Sequence, residues 1–287
     1  MIRELVVISG KGGTGKTSVA ASMAYLAKNK VIADCDVDAA DMHLLLQPET
    51  METHEFDGGV KACIRKDICS SCGQCLDYCR FDAISDDFIV DPISCEGCGV
   101  CAHFCPTAAI EMKPHVSGKW FVSDTRHGPL VHARLGIAEG NSGKLVTLIK
   151  KKAREIATEK KYGLVIVDGS PGTGCPVIAT MSGATVALIV TEPTVSGIHD
   201  LKRVHKLARH FNVKTAVCVN KSDINPDNVD LIRSYCDSNA IPVVGLISYD
   251  IEVVKAQVAG KSVLEHSNGP AALEIRKMGE TILNALL

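Results

Sequence analysis

The segment Leu5-Val6-Val7-Ile8-Ser9-Gly10-Lys11-Gly12-Gly13-Thr14-Gly15-Lys16-Thr17-Ser18 opens the chain with an apolar run, a glycine loop and a lysine–threonine pair. Leu5 to Ser9 ends at glycines, as a buried parallel strand should, and Lys16 to Lys28 carries Ala, Met and Leu at helical spacing. Gly10 to Thr17 satisfies G-x-x-x-x-G-K-S/T between that strand and that helix, the context that makes the motif a phosphate site. A tight turn without a ligand would not need Lys16-Thr17. In such a loop the backbone N–H groups and the helix N-terminus solvate phosphates, Lys16 neutralises the β/γ oxygens and Thr17 ligates Mg2+. Gly10, Lys11, Gly12, Gly13, Thr14, Gly15, Lys16, Thr17 and Ser18 are the expected nucleotide-binding residues.

Further along, short apolar runs recur at Val31 to Asp34, Leu164 to Asp168, Val186 to Val190, Ala216 to Asn220 and Val243 to Ile247. Helix-length segments separate them at Ser142 to Glu159, Pro176 to Met181, Ser196 to Phe211, Asp227 to Asn239 and Pro270 to Leu286. Alternating strands and helices imply an α/β fold with a parallel sheet covered on both faces. The alternation breaks between about Met51 and His115, where polar residues, Gly pairs and cysteines replace the long apolar runs. The expected organisation is therefore 1–58 and 116–287 as two parts of one nucleotide-binding domain, with 59–115 inserted.

A chain of 287 residues, 46% hydrophobic, has enough apolar surface for a substantial core. Its net charge of -2 argues against non-specific nucleic-acid binding, which needs a positive field. No basic segment followed by a long apolar stretch is present at the start, and no apolar run approaches the roughly 20 residues of a membrane helix. The expectation is a cytoplasmic protein without membrane or nucleic-acid partners. Gly59 to His115 carries 5 Lys/Arg against 8 Asp/Glu, an acidity that suits a basic redox partner or simply a solvated face.

Thirteen cysteines in a reducing compartment read as metal ligands or small buried residues. Eight form two runs, Cys69-x2-Cys72-x2-Cys75-x3-Cys79 and Cys95-x2-Cys98-x2-Cys101-x3-Cys105-Pro106. The segment repeats itself at an offset of 26 that also aligns Gly73 with Gly99, Ala83 with Ala109 and Ile84 with Ile110, which signals two similar halves sharing one small core. Zinc ribbons use separated Cys-x2-Cys pairs, whereas this run has the bacterial-ferredoxin spacing. The insertion resembles a small α+β ferredoxin with two 4Fe-4S clusters. By that resemblance Cys69, Cys72, Cys75 and Cys105 hold one cluster, and Cys95, Cys98, Cys101 and Cys79 the other. Cys79-Arg80 departs from the family's frequent Cys-Pro.

The extra lysine, Lys11, matches the deviant Walker A loop of P-loop ATPases of the MinD, ParA, Mrp and nitrogenase iron-protein kind, a resemblance that covers essentially the whole chain. It implies a homodimer that sandwiches two nucleotides, with Lys11 contacting the partner's nucleotide. It makes Lys11, Lys16 and Asp36 the catalytic candidates: Asp34-Cys35-Asp36-Val37-Asp38 resembles switch I, with Asp36 positioning the attacking water and Asp38 second. Asp168-Gly169-Ser170-Pro171-Gly172-Thr173-Gly174 resembles switch II, Asp168 joining Thr17 and Asp36 around Mg2+ and Gly172 sensing the γ-phosphate. Asn220-Lys221-Ser222-Asp223 formally matches the guanine-reading motif, but the family's asparagine at this point contacts adenine, so Asn220 and Asp223 are expected at the base of ATP. Ile241 to Gly245, continuing through Ala256, Gly260 and Val263, resembles the family's ending.

Cys175 could bridge a cluster between subunits, though no second cysteine stands near it. His103 reads as a packed or solvent-facing residue, and the last helix lacks the basic face with which MinD binds membranes. The insertion follows the second strand, which places it near the nucleotide edge of the sheet. Three functions stay open: an ATP-gated electron carrier, an iron–sulfur or metal-cofactor assembly factor resembling Mrp, and a redox-sensing regulatory ATPase. None names the redox or apo-protein partner.

Overall fold

The computed structural model describes residues 2–136, 139–140 and 142–287. The chain begins with β1 (Arg3–Ile8), α1 (Lys16–Leu26) and β2 (Lys30–Asp34), then α2 (Met42–Leu46). Two long strands, β3 (Glu49–Ile64) and β4 (Ile110–Asp124), bracket α3 (Gln74–Tyr78) and α4 (Val100–His103). After β5 (Leu130–Leu135) the alternation resumes with α5 (Ser142–Glu159), β6 (Leu164–Asp168), α6 (Cys175–Met181), β7 (Val186–Thr191) and α7 (Val195–His210). It continues through β8 (Lys214–Asn220), α8 (Pro226–Ser238), β9 (Val243–Ile247), α9 (Ile251–Val258), α10 (Val263–His266) and α11 (Pro270–Thr281). The helix expected over 270–286 is α-helical only to Thr281; the chain then widens into a π-helical turn that keeps Ile282 in the core with Leu283, Leu286 and Leu287 against it.

The strand order is β3-β4-β5-β2-β6-β1-β7-β8-β9, and every pairing from β5 to β9 is parallel. Apart from Arg3, each residue of β1, β2, β6 and β7 is buried, the pattern of central strands with helices on both faces. α1 is buried almost all round, and its Ala20, Ala21 and Ala24 let it lie close within the main core. Glu4 of β1 is fully buried, paired with Lys150 at 3.1 Å and with Arg154. In register, Asp168 stands opposite both Val7 and Asp34, so β1, β2 and β6 finish level and deliver their loops to one edge.

Two compact units divide the chain. One comprises Met1–Thr53, Trp120–Arg134 and Ser142–Leu287, the other His54–Lys119 and Leu135–Asn141. The chain leaves the first unit within β3 and returns within β4.

The 26-residue repeat is visible in the backbone of the second unit. Gly73 and Gly99 precede α3 and α4 with φ of 78° and 77°, a left-handed geometry that glycine adopts without strain. Ser71 and Gly97, and Asp82 and Ala108, likewise share positive φ at equal offset. Ala83, Ile84, Ala109 and Ile110 are all buried. Tyr78 and Phe104, one from each half, pack with ring planes tilted by 38° and centroids 4.9 Å apart. The unit's small core includes Ala62, Ala83, Cys95 and Ile110, with Cys75, Cys79, Cys101 and Cys105 packed against it.

Candidate functional site

Three loops meet at the carboxyl ends of β1, β2 and β6. Lys16 lies between them, 6% exposed, with Nζ 2.6 Å from Asp168 Oδ1 and 3.3 Å from Asp36 Oδ2. Thr17 Oγ1 donates to Asp168 Oδ2 at 2.7 Å. Burial works to lower the Lys16 pKa, but Asp168, Asp36 and Asp34 outweigh it and hold the ammonium above its ordinary value. Burial pushes the Asp36 carboxyl up, an effect that Lys16 offsets only in part. Asp38 is exposed. The site thus brings together the lysine, hydroxyl and carboxylates that nucleotide and Mg2+ chemistry needs.

Asp34 does its work from behind. It is fully buried, and burial together with Asp168 raises its carboxyl well above the usual range. Its oxygens accept from the Asp36 amide at 3.1 Å and the Met42 amide at 3.2 Å, which shapes the loop carrying Asp36. The Ser170 hydroxyl donates to the Cys35 carbonyl at 2.7 Å, tying the loop after β6 to the loop after β2. Neither role is readable from an aspartate or serine in isolation. Thr14 Oγ1 is buried with no hydrogen-bond partner among the described residues. An orphaned hydroxyl costs about 1–3 kcal/mol, and in a phosphate loop it fits an incoming oxygen.

Lys11 Nζ lies 3.2 Å from Glu192 and 3.2 Å from Ser196 Oγ. Lys221 pairs with the same carboxylate at 2.5 Å. Burial alone would raise the Glu192 carboxyl, but Lys221 and Lys11 hold it below the usual range. The contact with a partner's nucleotide expected of Lys11 therefore requires it to leave Glu192, a residue the sequence pattern did not single out. Gly172, at φ 96°, donates its amide to the Ser9 carbonyl at 2.9 Å. Ser18 Oγ accepts from Gln257 Nε2 at 2.8 Å. Asn220 Nδ2 donates to the Thr14 carbonyl at 2.8 Å and so braces the phosphate loop, while Asp223 accepts from the Tyr249 amide at 2.6 Å.

Gly10 is required by packing: a Cβ there would lie 2.3 Å from Asp200 Cβ and 3.0 Å from its backbone, whereas one at Gly12 would meet nothing within 4 Å. Gly10→Ala is expected to cost about 1–3 kcal/mol by overpacking, lowering Tm by several degrees. Gly12→Ala should melt near the parent in the same circular-dichroism experiment, and equal melting of all three proteins would refute the packing argument.

Two cavities lie in the second unit. One is lined by Cys95, Cys98, Cys101 and Cys79. The other is lined by Cys69, Cys72, Cys75 and Cys105. Each set takes its fourth cysteine from the other run. Among the described residues, no three His, Cys, Asp or Glu side chains converge closely enough to hold a metal ion. Burial raises the Cys101 thiol pKa, and the Cys95, Cys98 and Cys79 thiols raise it further. The Ala83 amide donates to Cys79 Sγ at 3.4 Å, and its counterpart, the Ala109 amide, to Cys105 Sγ at 3.3 Å.

Residues 5–263 match the family model of the CobQ/CobB/MinD/ParA nucleotide binding domain. The chain belongs to that family. An uncharacterized protein of Methanocaldococcus jannaschii is 35% identical over 98% of this chain and 97% of its own length. The septum site-determining protein MinD of Synechocystis is 23% identical over 92% of this chain and 82% of its own length. The structure of MinD complexed with Mg-ADP from Pyrococcus horikoshii superposes with a TM-score of 0.62 at 16% identity, covering 99% of this chain and 97% of that one. The α/β, parallel-dominant sheet is thus the MinD-like P-loop fold, and the chain is a nucleotide-binding protein of the MinD/ParA type.

Outside these sites, Cys35, Cys218 and Cys236 are buried, and burial raises the Cys218 thiol to about 12 and the Cys236 thiol to about 11, as for packing residues. Cys175 is exposed at the start of α6. Among the described residues no helix is long and apolar enough to cross a membrane.

Proposed function

We propose that this chain is a MgATP-hydrolysing iron–sulfur protein in which nucleotide state governs electron transfer from two 4Fe-4S clusters to a partner protein. The observation that carries the reading is the pair of cavities, each lined by four cysteines in the crossed sets. A single zinc ion would draw its thiolates to about 2.3 Å. A four-iron cluster takes one cysteine at each iron and spreads them around a cavity, a reading that four cysteines lining each cavity support. When bound, each cluster supplies a one-electron carrier. On the nucleotide side, Lys16 and the loop amides hold the phosphates, Thr17 and Asp168 hold Mg2+, Asp36 orients the attacking water, and Lys11 acts across a homodimer after leaving Glu192. The acidity of residues 59–115 suits a basic partner.

Exposure of Cys72 and Cys98 favours a second reading, delivery of a labile cluster to an apo-protein. The deciding experiment is anaerobic purification with iron quantitation, then reductive titration with and without MgATP. About eight irons per chain are expected from two four-iron clusters, with a cluster potential or transfer rate that changes on adding MgATP. Identical titrations and transfer rates in both conditions would remove gating, and loss of iron to an apo-acceptor would favour delivery.

A further inference from the structure

The two cysteine cavities are related by the 26-residue repeat, so their linings compare position by position. Ile64 and Ile110 of one correspond to Val90 and Ile84 of the other, and both pairs are apolar. Three pairs break the symmetry. Ser70, Gln74 and Thr107 line the Cys69/Cys72/Cys75/Cys105 cavity, and their counterparts Glu96, Val100 and Phe81 line the Cys95/Cys98/Cys101/Cys79 cavity. Thr107 Oγ1 lies 3.7 Å from Cys105 Sγ; phenylalanine has no donor to offer at that place. The amide bonds from Ala83 and Ala109 match, so this pair does not offset the difference. Cys95 is buried, whereas its counterpart Cys69 is half-buried.

Reduction adds one negative charge to a cluster. Hydrogen-bond donors and water stabilise that charge, while apolar walls and a neighbouring carboxylate disfavour it. Resting on the two-cluster reading above, we propose that the two sites are held at different potentials: the Cys69/Cys72/Cys75/Cys105 site accepts the first electron, and the Cys95/Cys98/Cys101/Cys79 site is the stronger reductant. Nearby cations do not reverse the order. Lys61 Nζ donates to the Cys95 carbonyl at 2.8 Å, but Glu139, 3.8 Å away, offsets its charge. Arg80 and Glu96 are both exposed, where salt screens their opposite charges, so the order rests on the Thr107/Phe81 and Gln74/Val100 pairs.

Each site takes one electron from an external one-electron donor and returns it to a one-electron acceptor, with no bond made or broken. The full chain, reconstituted anaerobically and titrated with dithionite under potentiometric control, should show two separate one-electron steps by electron paramagnetic resonance. Thr107→Val should move only the upper step to more negative potential, and Phe81→Thr only the lower step to less negative potential. If Thr107→Val fails to retain iron, Gln74→Val tests the same wall. A single step carrying both electrons, or Thr107→Val shifting the lower step, overturns the proposal. About eight irons with one step defeats the split alone, whereas about four irons or fewer per chain defeats the two-cluster reading itself.

Discussion

Lys16→Ala is expected to cut nucleotide hydrolysis sharply and, unlike most substitutions in a ligand-binding loop, to destabilise the ligand-free protein as well. Lys16 Nζ is the cation between Asp168 and Asp36, with Asp34 close enough to add to the field. Asp168 and Asp34 are fully buried and Asp36 nearly so. Removing one partner from a buried charge cluster typically costs about 3–5 kcal/mol, because the carboxylates left behind have neither water nor counterion. Part of that loss is relieved if protons bind Asp34 and Asp36, whose carboxyls burial has already pushed up. Hydrolysis should fall at least about a hundredfold, the scale for removing one preorganised charge-stabilising group. Lys16→Arg separates the two effects: it keeps the charge and should recover much of the stability, while its planar fork cannot replace a compact ammonium against the phosphates. Calorimetric melting without nucleotide, followed by single-turnover hydrolysis, measures both. A Lys16→Ala protein that melts like the parent would show that the carboxylates do not depend on Lys16.

The central sheet was legible because buried parallel strands are written as continuous apolar runs. All six such runs became β1, β2, β6, β7, β8 and β9. β5 carries His132 and Arg134 among its apolar residues, which breaks the run, yet it pairs parallel with β2 at Ile32 and Leu130. β3 and β4 are long and largely exposed, and their polar residues and Gly58-Gly59 gave no local strand signal. What makes them neighbours is pairing between segments far apart in sequence, which no local pattern records. α9 and α10 are too short for a clear helical period, and their ends are set by Asp250 and by the Ser262–Glu265 capping box. At the site, motif reading named Lys16, Thr17, Asp36 and Asp168, which the fold brings together, because phosphate and Mg2+ chemistry fixes their types and spacing. It gave no sign of Glu192, Asp34 or Ser170 as supports, since each acts through a contact made only by folding. Asn220 gives a further example: its amide donates to the Thr14 carbonyl of the phosphate loop, a contact its motif does not record.

Cys105→Ala should remove the cluster site formed mainly by the first cysteine run, although Cys105 belongs to the second. Its cavity is otherwise lined by Cys69, Cys72 and Cys75, while Cys79 lines the cavity of Cys95, Cys98 and Cys101. Under the proposed crossed ligation each half depends on the other, so the two variants should fail in opposite places. Cys105→Ala should retain about four irons and lose the upper reduction step, whereas Cys79→Ala should retain about four and lose the lower one. A run that ligated its own cluster would give the reverse assignment, so the same titration distinguishes the two arrangements. Stability should follow. Cys79 and Cys105 pack against a small core whose buried members are Ala62, Ala83, Cys95 and Ile110. Metal binding contributes directly to folding in small domains of this kind. Losing either cluster should therefore loosen both halves, and hydrogen exchange should rise at the Ala83 and Ala109 amides whichever cysteine is replaced. Exchange confined to the half that carries the substitution would mean that the halves fold independently and that the crossing is not what joins them.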